Sequence, residues 1–269
     1  MKTHHWIVIC AWGLCAASNA AAQSSYHQVV VPNGGSVSGV VRLQGAPPPE
    51  STEPVTKDGD YCGPVKTSPR LLMGRDGAVK NAVVWIDNIS QGKMLPAHGV
   101  VTLRQKKCEY EPHVVLLCAG EEFEIVNDDA VLHNVHAYDL AAGSRSMFNI
   151  AQPVRGTRTK INPEHVKGNT PIITTCDAGH PWMNAYVIRA PHPYYAVTDA
   201  AGRYRLDDIP PGTYTLRMWH EGVATRLSRA GFAPVVEEPY ESSKQIVIEP
   251  YGTVTADYSF SLRTTSASR

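Results

Sequence analysis

Apolar residues along this chain come in short runs, alternating with polar ones or bounded by Gly, Pro, Asn and Asp, rather than at helical spacing. The pattern predicts strands at Ser36–Leu43, Ala82–Ile86, His113–Cys118, Glu122–Val126, Val131–Ala137, Pro171–Cys176 and Met183–Ile188. One helical turn is expected near Asn162–Val166, where Pro163 follows a capping residue. After Ala190-Pro191-His192-Pro193 the texture changes to evenly spaced strands at Tyr194–Thr198, Arg203–Leu206, Thr213–His220, Gln245–Ile248 and Thr253–Ser261. Turn signals at Asp199–Gly202 and Asp207–Gly212 separate the first three of these. The expectation is an all-β chain with two sandwiches. Residues 23–190 form a larger one with an N-terminal β extension, residues 191–262 a smaller antiparallel one, and residues 263–269 a flexible tail. Residues 23–35 read as a flexible lead-in, and Gly45–Pro54 as a Pro-rich connection.

The first residues change the compartment. Lys2, the apolar stretch Trp6–Ala17 and the small residues Ala20-Ala21-Ala22 have the layout of a cleaved export signal over residues 1–22. Ser18 and Asn19 interrupt that stretch below the roughly 20 residues that span a bilayer. The mature protein is expected in the periplasm or secreted, with no membrane span after cleavage. Its 25 Lys and Arg balance its 25 Asp and Glu, so no global charge draws it to nucleic acid or an anionic surface. Cys10 and Cys15 leave with the signal, and Cys62, Cys108, Cys118 and Cys176 remain for an oxidising compartment. Cys118 sits in an apolar run and reads as a buried, inert thiol. If Cys176 holds a metal, Cys62 with Cys108 is the best bridge; the alternative is two disulfides, one of them using Cys176.

The densest chemistry lies in Cys176-Asp177-Ala178-Gly179-His180-Pro181-Trp182-Met183, a thiolate, an imidazole and a thioether spaced C-x3-H-x2-M. Those donors favour copper over zinc, calcium or magnesium. A second imidazole comes from the segment Asn127–His136, which offers His133 and His136; three residues apart on a strand, they face opposite ways. Asn134 is placed to tie the two ligand-bearing segments by hydrogen bonds, and Trp182 to shield the metal or line its exposed edge. His113 reads as a supporting or core residue, His192 as a cap on the domain junction, and His220-Glu221 as the surface end of a strand. A second metal would need three such histidines to converge. The chain has no Gly-rich phosphate loop, G-x-S-x-G, H-E-x-x-H or C-x-x-C-H, so it reads as an electron carrier rather than an enzyme.

The order Asn127, His133-Asn134, Cys176, His180, Met183 resembles the cupredoxins, the plastocyanin-like blue copper proteins. That resemblance selects His133, directly before Asn134, and implies His133, Cys176 and His180 as equatorial ligands with Met183 axial, in a cupredoxin-like Greek-key sandwich. The loop also looks like the second half of the purple binuclear copper loop of cytochrome oxidase. That loop needs a further cysteine where this chain has Ile172, so one mononuclear type 1-like site is expected. Cys108 with Pro112-His113-Val114, then His192-Pro193-Tyr194 and Trp219-His220-Glu221, extend the likeness. They are similar to exported bacterial proteins labelled cupredoxin-like or methylamine-utilisation-like, with a carboxypeptidase-regulatory or transthyretin-like C-terminal domain. The resemblance implies one-electron transfer with a redox partner protein. Copper capture or delivery between a donor and an acceptor, without redox turnover, is the first alternative. A structural or carbohydrate-binding protein with a vestigial metal loop is the second.

Overall fold

A computed structural model of the chain describes residues 26–166, 171–223, 228–230 and 233–263. The expected export signal over residues 1–22 lies outside the described residues, as do residues 264–269 of the expected tail. Arg263, the tail's first residue, is not loose: its backbone N–H donates to Tyr240 Oη at 3.2 Å and its guanidinium to Pro239 O at 2.7 Å. The described residues are all-β apart from single helical turns, including Pro163–Val166. None of their helices is long and apolar enough to cross a membrane.

The first sandwich is built wholly from residues 100–190. One sheet runs Arg158–Ile161, Glu122–Asn127, Val100–Lys106, Glu109–Glu111; the other runs Arg145–Gln152, His133–Asp139, Ile172–Cys176, His180–Ala190, Val114–Cys118. Two neighbour pairs are parallel, Val100–Lys106 with Glu122–Asn127 and Val114–Cys118 with His180–Ala190. Parallel neighbours need a crossover, and here the chain crosses to the opposite sheet between them. Strand alternation sends Val135, Ala137, Met183, Ala185 and Val187 inward to meet Leu103, Phe123 and Ile125. The opposite face carries Tyr138, Ile173, Tyr186 and Ile188, which pack on Val83 and Trp219 of the second sandwich. Covered on both faces, Ile172–Cys176 is buried at every position, Thr174 and Thr175 included.

The expected division near residue 190 needs correction. In the second sandwich, one sheet runs Tyr195–Val197, Val83–Asp87, Gly212–His220, Tyr240–Ile248. In the other, Gly35–Gln44 pairs with Arg203–Ile209. The strands at 35–44 and 83–87 therefore complete this unit and do not extend the first. Val84 and Ile86 enter its core while Val83 enters the junction, so a strand read from sequence as buried is buried between two domains. The sandwich is also not purely antiparallel, because Gly35–Gln44 runs parallel to Thr253–Thr255 and Tyr258–Ser261. From Tyr26 onward the expected lead-in is packed: Tyr26 lies against His192 and Tyr194, and His27–Gln28 pairs with Gln91–Gly92, while residues 23–25 lie outside the described residues.

Between its first two strands the second sandwich sends out a strap. Thr52–Pro54 and Val65–Thr67 form a short hairpin, with one helical turn at Gly59–Cys62 between them. A disulfide from Cys62 to Cys108 (Cα–Cα 5.5 Å) fastens that turn to the first sandwich. The Pro-rich stretch at 45–54 had suggested only a connection; the strap instead lies over the loop Cys176–His180.

Candidate metal centre

His133 opens the strand His133–Asp139, Cys176 closes Ile172–Cys176, and His180 opens His180–Ala190. The tight turn between the last two depends on Gly179, whose φ of +106° is strained for other residues; a Cβ there would also meet Lys57 Cδ at 2.4 Å. Asn127 fixes the approach to His133. Its amide donates to Val131 O and Gln152 O at 3.0 and 2.8 Å, and its Oδ1 accepts from the Asp129 N–H at 2.8 Å. Asn134 bridges the ligand segments: its Oδ1 accepts from the Ala178 N–H at 2.7 Å, and its own backbone N–H points at Cys176 Sγ at 3.5 Å.

Three donor atoms converge. His133 Nδ1 and His180 Nδ1 are 3.2 Å apart, and Cys176 Sγ lies 3.9 Å from the first and 3.6 Å from the second. A point equidistant from all three sits about 2.1 Å from each, the length of a metal–imidazole bond. The outer nitrogens explain the inner ones. His133 Nε2 donates to Asp129 Oδ2 at 3.0 Å and His180 Nε2 to Asp58 Oδ2 at 2.9 Å. With each Nε2 carrying a proton toward a carboxylate, each Nδ1 presents a lone pair inward. Two inward lone pairs and a sulfur gathered in a buried pocket make a donor set that suits a soft or borderline cation. All three donor residues are fully buried.

Burial pushes the Cys176 thiol up, helped by the neighbouring Asp177 charge and resisted by the amides of Asn134, Ala178 and His180. Burial and the His133 charge hold the His180 imidazolium pKa down, against Asp58, so a neutral, ligating ring is favoured. Burial opposes ionisation of Asp129. Hydrogen bonds from His133 and from the amides of Cys108 and Lys107 outweigh it and hold the carboxyl below its ordinary range. A cation bound at the three inward donors would supply what the sulfur lacks.

Met183, three residues past His180, is buried in the same apolar cluster as Cys176 and Trp182. Trp182 is not on an exposed edge: its ring meets His180 edge-on at 5.1 Å and its Nε1–H donates to Cys108 O at 2.9 Å. His136 stays outside the site, on the opposite sheet face, bonded to Asp177 Oδ2 at 2.5 Å and Ser146 Oγ at 2.7 Å. His113 bonds Asn184 O and the Glu221 carboxylate. His220 and Glu221 are buried, not on the surface as their position at a strand end suggested: His220 stacks on Phe260 of the second sandwich, and Glu221 meets His113 of the first. His192 packs among Tyr26, Tyr194 and Tyr195. Cys118 is a half-buried free thiol, pushed up to about 11 by burial and by Glu121.

Sequence reasoning assigned no role to the strap's contribution. Lys57 Nζ donates to Ala178 O at 2.6 Å, and Tyr61 Oη donates to Asp129 Oδ1 at 3.1 Å. Asp58 stands at the N-cap of the turn Gly59–Cys62 in the left-handed region (φ 54°), yet its carboxylate makes no capping bond and goes to His180 instead. A misused cap is the only local signal of this, and it is visible only in three dimensions.

No protein-family model and no curated protein matches the chain. Solved structures similar to part of it include a copper-containing nitrite reductase from Thermus scotoductus SA-01, at 19% identity and TM-score 0.28, covering 38% of this chain and 24% of that one. A purple cupredoxin from Nitrosopumilus maritimus is 19% identical, with TM-score 0.28, over 34% of this chain and 99% of that one. Amicyanin from Paracoccus versutus is 21% identical, with TM-score 0.27, over 36% of this chain and 85% of that one. Scores this low leave the fold description resting on the sheets and the site on its own geometry.

Proposed function

We propose that this chain is an exported mononuclear copper protein that transfers single electrons. The convergence of His133 Nδ1, His180 Nδ1 and Cys176 Sγ, with both outer nitrogens tied to carboxylates, carries the reading. Met183, buried in the same cluster as Cys176, would offer a thioether as a fourth ligand. When bound, copper supplies one-electron chemistry by cycling between Cu(II) and Cu(I). The protein's part is to hold two imidazoles and a thiolate in one arrangement for both states, to exclude water, and to direct N–H dipoles at the sulfur. The disulfide accords with an oxidising compartment.

The enclosure favours retention over delivery. Handing metal to a partner calls for an accessible ligand, whereas His180 is 0% exposed beneath Asp58 and Lys57. Electrons need no such opening. The test is Cu(II) titration of the mature protein with visible spectroscopy, beside Cys176→Ser. An intense sulfur-to-copper band at one equivalent, absent from the variant, is expected. Stoichiometric Cu(I) binding without the band would support delivery instead, and failure to bind either state would end the copper reading.

A further inference from the structure

We propose that Asp58 and Asp129 are positioning residues that fix the tautomer of both ligand imidazoles and bias the site toward Cu(II). The inference rests on the copper reading for its second half only. Each carboxylate accepts a hydrogen bond from the Nε2–H of one ring, at 2.9 Å for His180 and 3.0 Å for His133, so the two rings are equipped alike from unrelated parts of the chain. Asp129 is held by the backbone N–H groups of Lys107 and Cys108, both at 2.7 Å, and by Tyr61 Oη at 3.1 Å. Asp58 is held by the strap, in a backbone conformation that an Asp tolerates better than most residues. A carboxylate on the far nitrogen makes an imidazole a stronger donor, and it stabilises the more highly charged metal ion more. Cu(II) therefore gains more than Cu(I), and the reduction potential falls.

The two carboxylates differ in a way that makes the idea testable. The Asp129 side chain is 2% exposed and that of Asp58 31% exposed. Salt screens an exposed charge far more than a buried one. Two experiments follow on the full mature chain, using Asp58→Asn, Asp58→Ala and Asp129→Asn. In the metal-free protein near pH 8, 15N NMR of the imidazoles should show His133 and His180 both protonated at Nε2. Asp58→Ala should move His180 alone toward the Nδ1–H form. An unchanged His180 tautomer overturns the positioning role whether or not copper binds.

In the copper-loaded protein each Asn variant should raise the reduction potential. The ratio of Cu(II) to Cu(I) affinity should fall about tenfold or more per lost carboxylate. The effect should be larger at Asp129, and it should fade with added salt only at Asp58. Because Asp129→Asn also disturbs two backbone bonds, Asp58→Asn is the deciding variant. A normal copper band with an unmoved potential in Asp58→Asn overturns the bias and leaves the copper reading intact. No copper band in the unsubstituted protein overturns the copper reading and leaves the tautomer result standing.

Discussion

Between the sheets of the second sandwich lie Val41, Val84, Ile86, Leu216 and their aliphatic neighbours. Polar atoms admitted there include the hydroxyls of Tyr194, Tyr204 and Tyr258, which donate to the backbone carbonyls of Asp208, Ala256 and Leu216. Between the sheets of the first lie similar aliphatics, but with two imidazoles, a thiol and a carboxylate gathered at one end. Both units obey the same strand alternation. One buries what lowers its free energy unaided; the other buries a cluster of lone-pair donors that a bound cation would stabilise further. The aliphatic core and the donor cluster are thus housed in separate layers of one stack, joined through Val83, Tyr186 and Trp219.

Metal should break the symmetry most. At free copper about a thousandfold above the dissociation constant, binding should stabilise the protein by about 4 kcal/mol, and Cys176→Ser should abolish most of that gain. Calorimetry with and without copper reads both. A comparable change confined to the other layer is Leu216→Ala, at a fully buried position. It should cost about 2–5 kcal/mol in urea unfolding while the copper band keeps its position and intensity. A shifted band would show that the layers are coupled more tightly than their packing implies.

Acid should weaken the junction next. Burial lowers the His192 imidazolium pKa to about 4, below the ordinary 6.5 of an unfolded chain. Between those values the unfolded state binds a proton that the folded state refuses. His192 thus subtracts nothing above about pH 6.5, and stability falls as pH drops from there through about 4, by about 3 kcal/mol in all. His192→Gln should flatten that part of the stability curve; an unchanged slope would assign it to other groups. The smallest effect is expected of Lys57→Ala, which removes one exposed bond to the ligand loop. Its stability cost should stay below about 1 kcal/mol, while chelator-driven loss of copper should quicken severalfold.

The loop Cys176–Met183 was legible because its candidate ligands lie within eight residues, and donor type alone narrows the metal. His133 was legible only through the family order, since one histidine on a strand carries no signal of its own. Asp129 stood in plain view beside it without a role, because carboxylates in turns are commonplace. Asp58 was illegible: it precedes its partner His180 by 122 positions, and only the fold brings them together. The membership of the strands at 35–44 and 83–87 was hidden for the same reason. Alternation fixes which side chains point inward but not which sheet a strand joins. Val100–Lys106 and Arg145–Gln152 were passed over because charged and amide residues dilute their apolar pattern.

The chain leaves the second sandwich after Val83–Asp87 and re-enters at Tyr195–Val197, and those two strands are antiparallel neighbours. A hairpin turn could join them, so the first sandwich, residues 100–190, is an insertion between two neighbouring strands of the second. Moved as a cassette into another scaffold, that insertion would carry the three converging ligands and Cys108. It would leave Lys57, Asp58, Tyr61 and Cys62 behind. The converging donors and their cover thus belong to different modules, and the host is what keeps the guest closed.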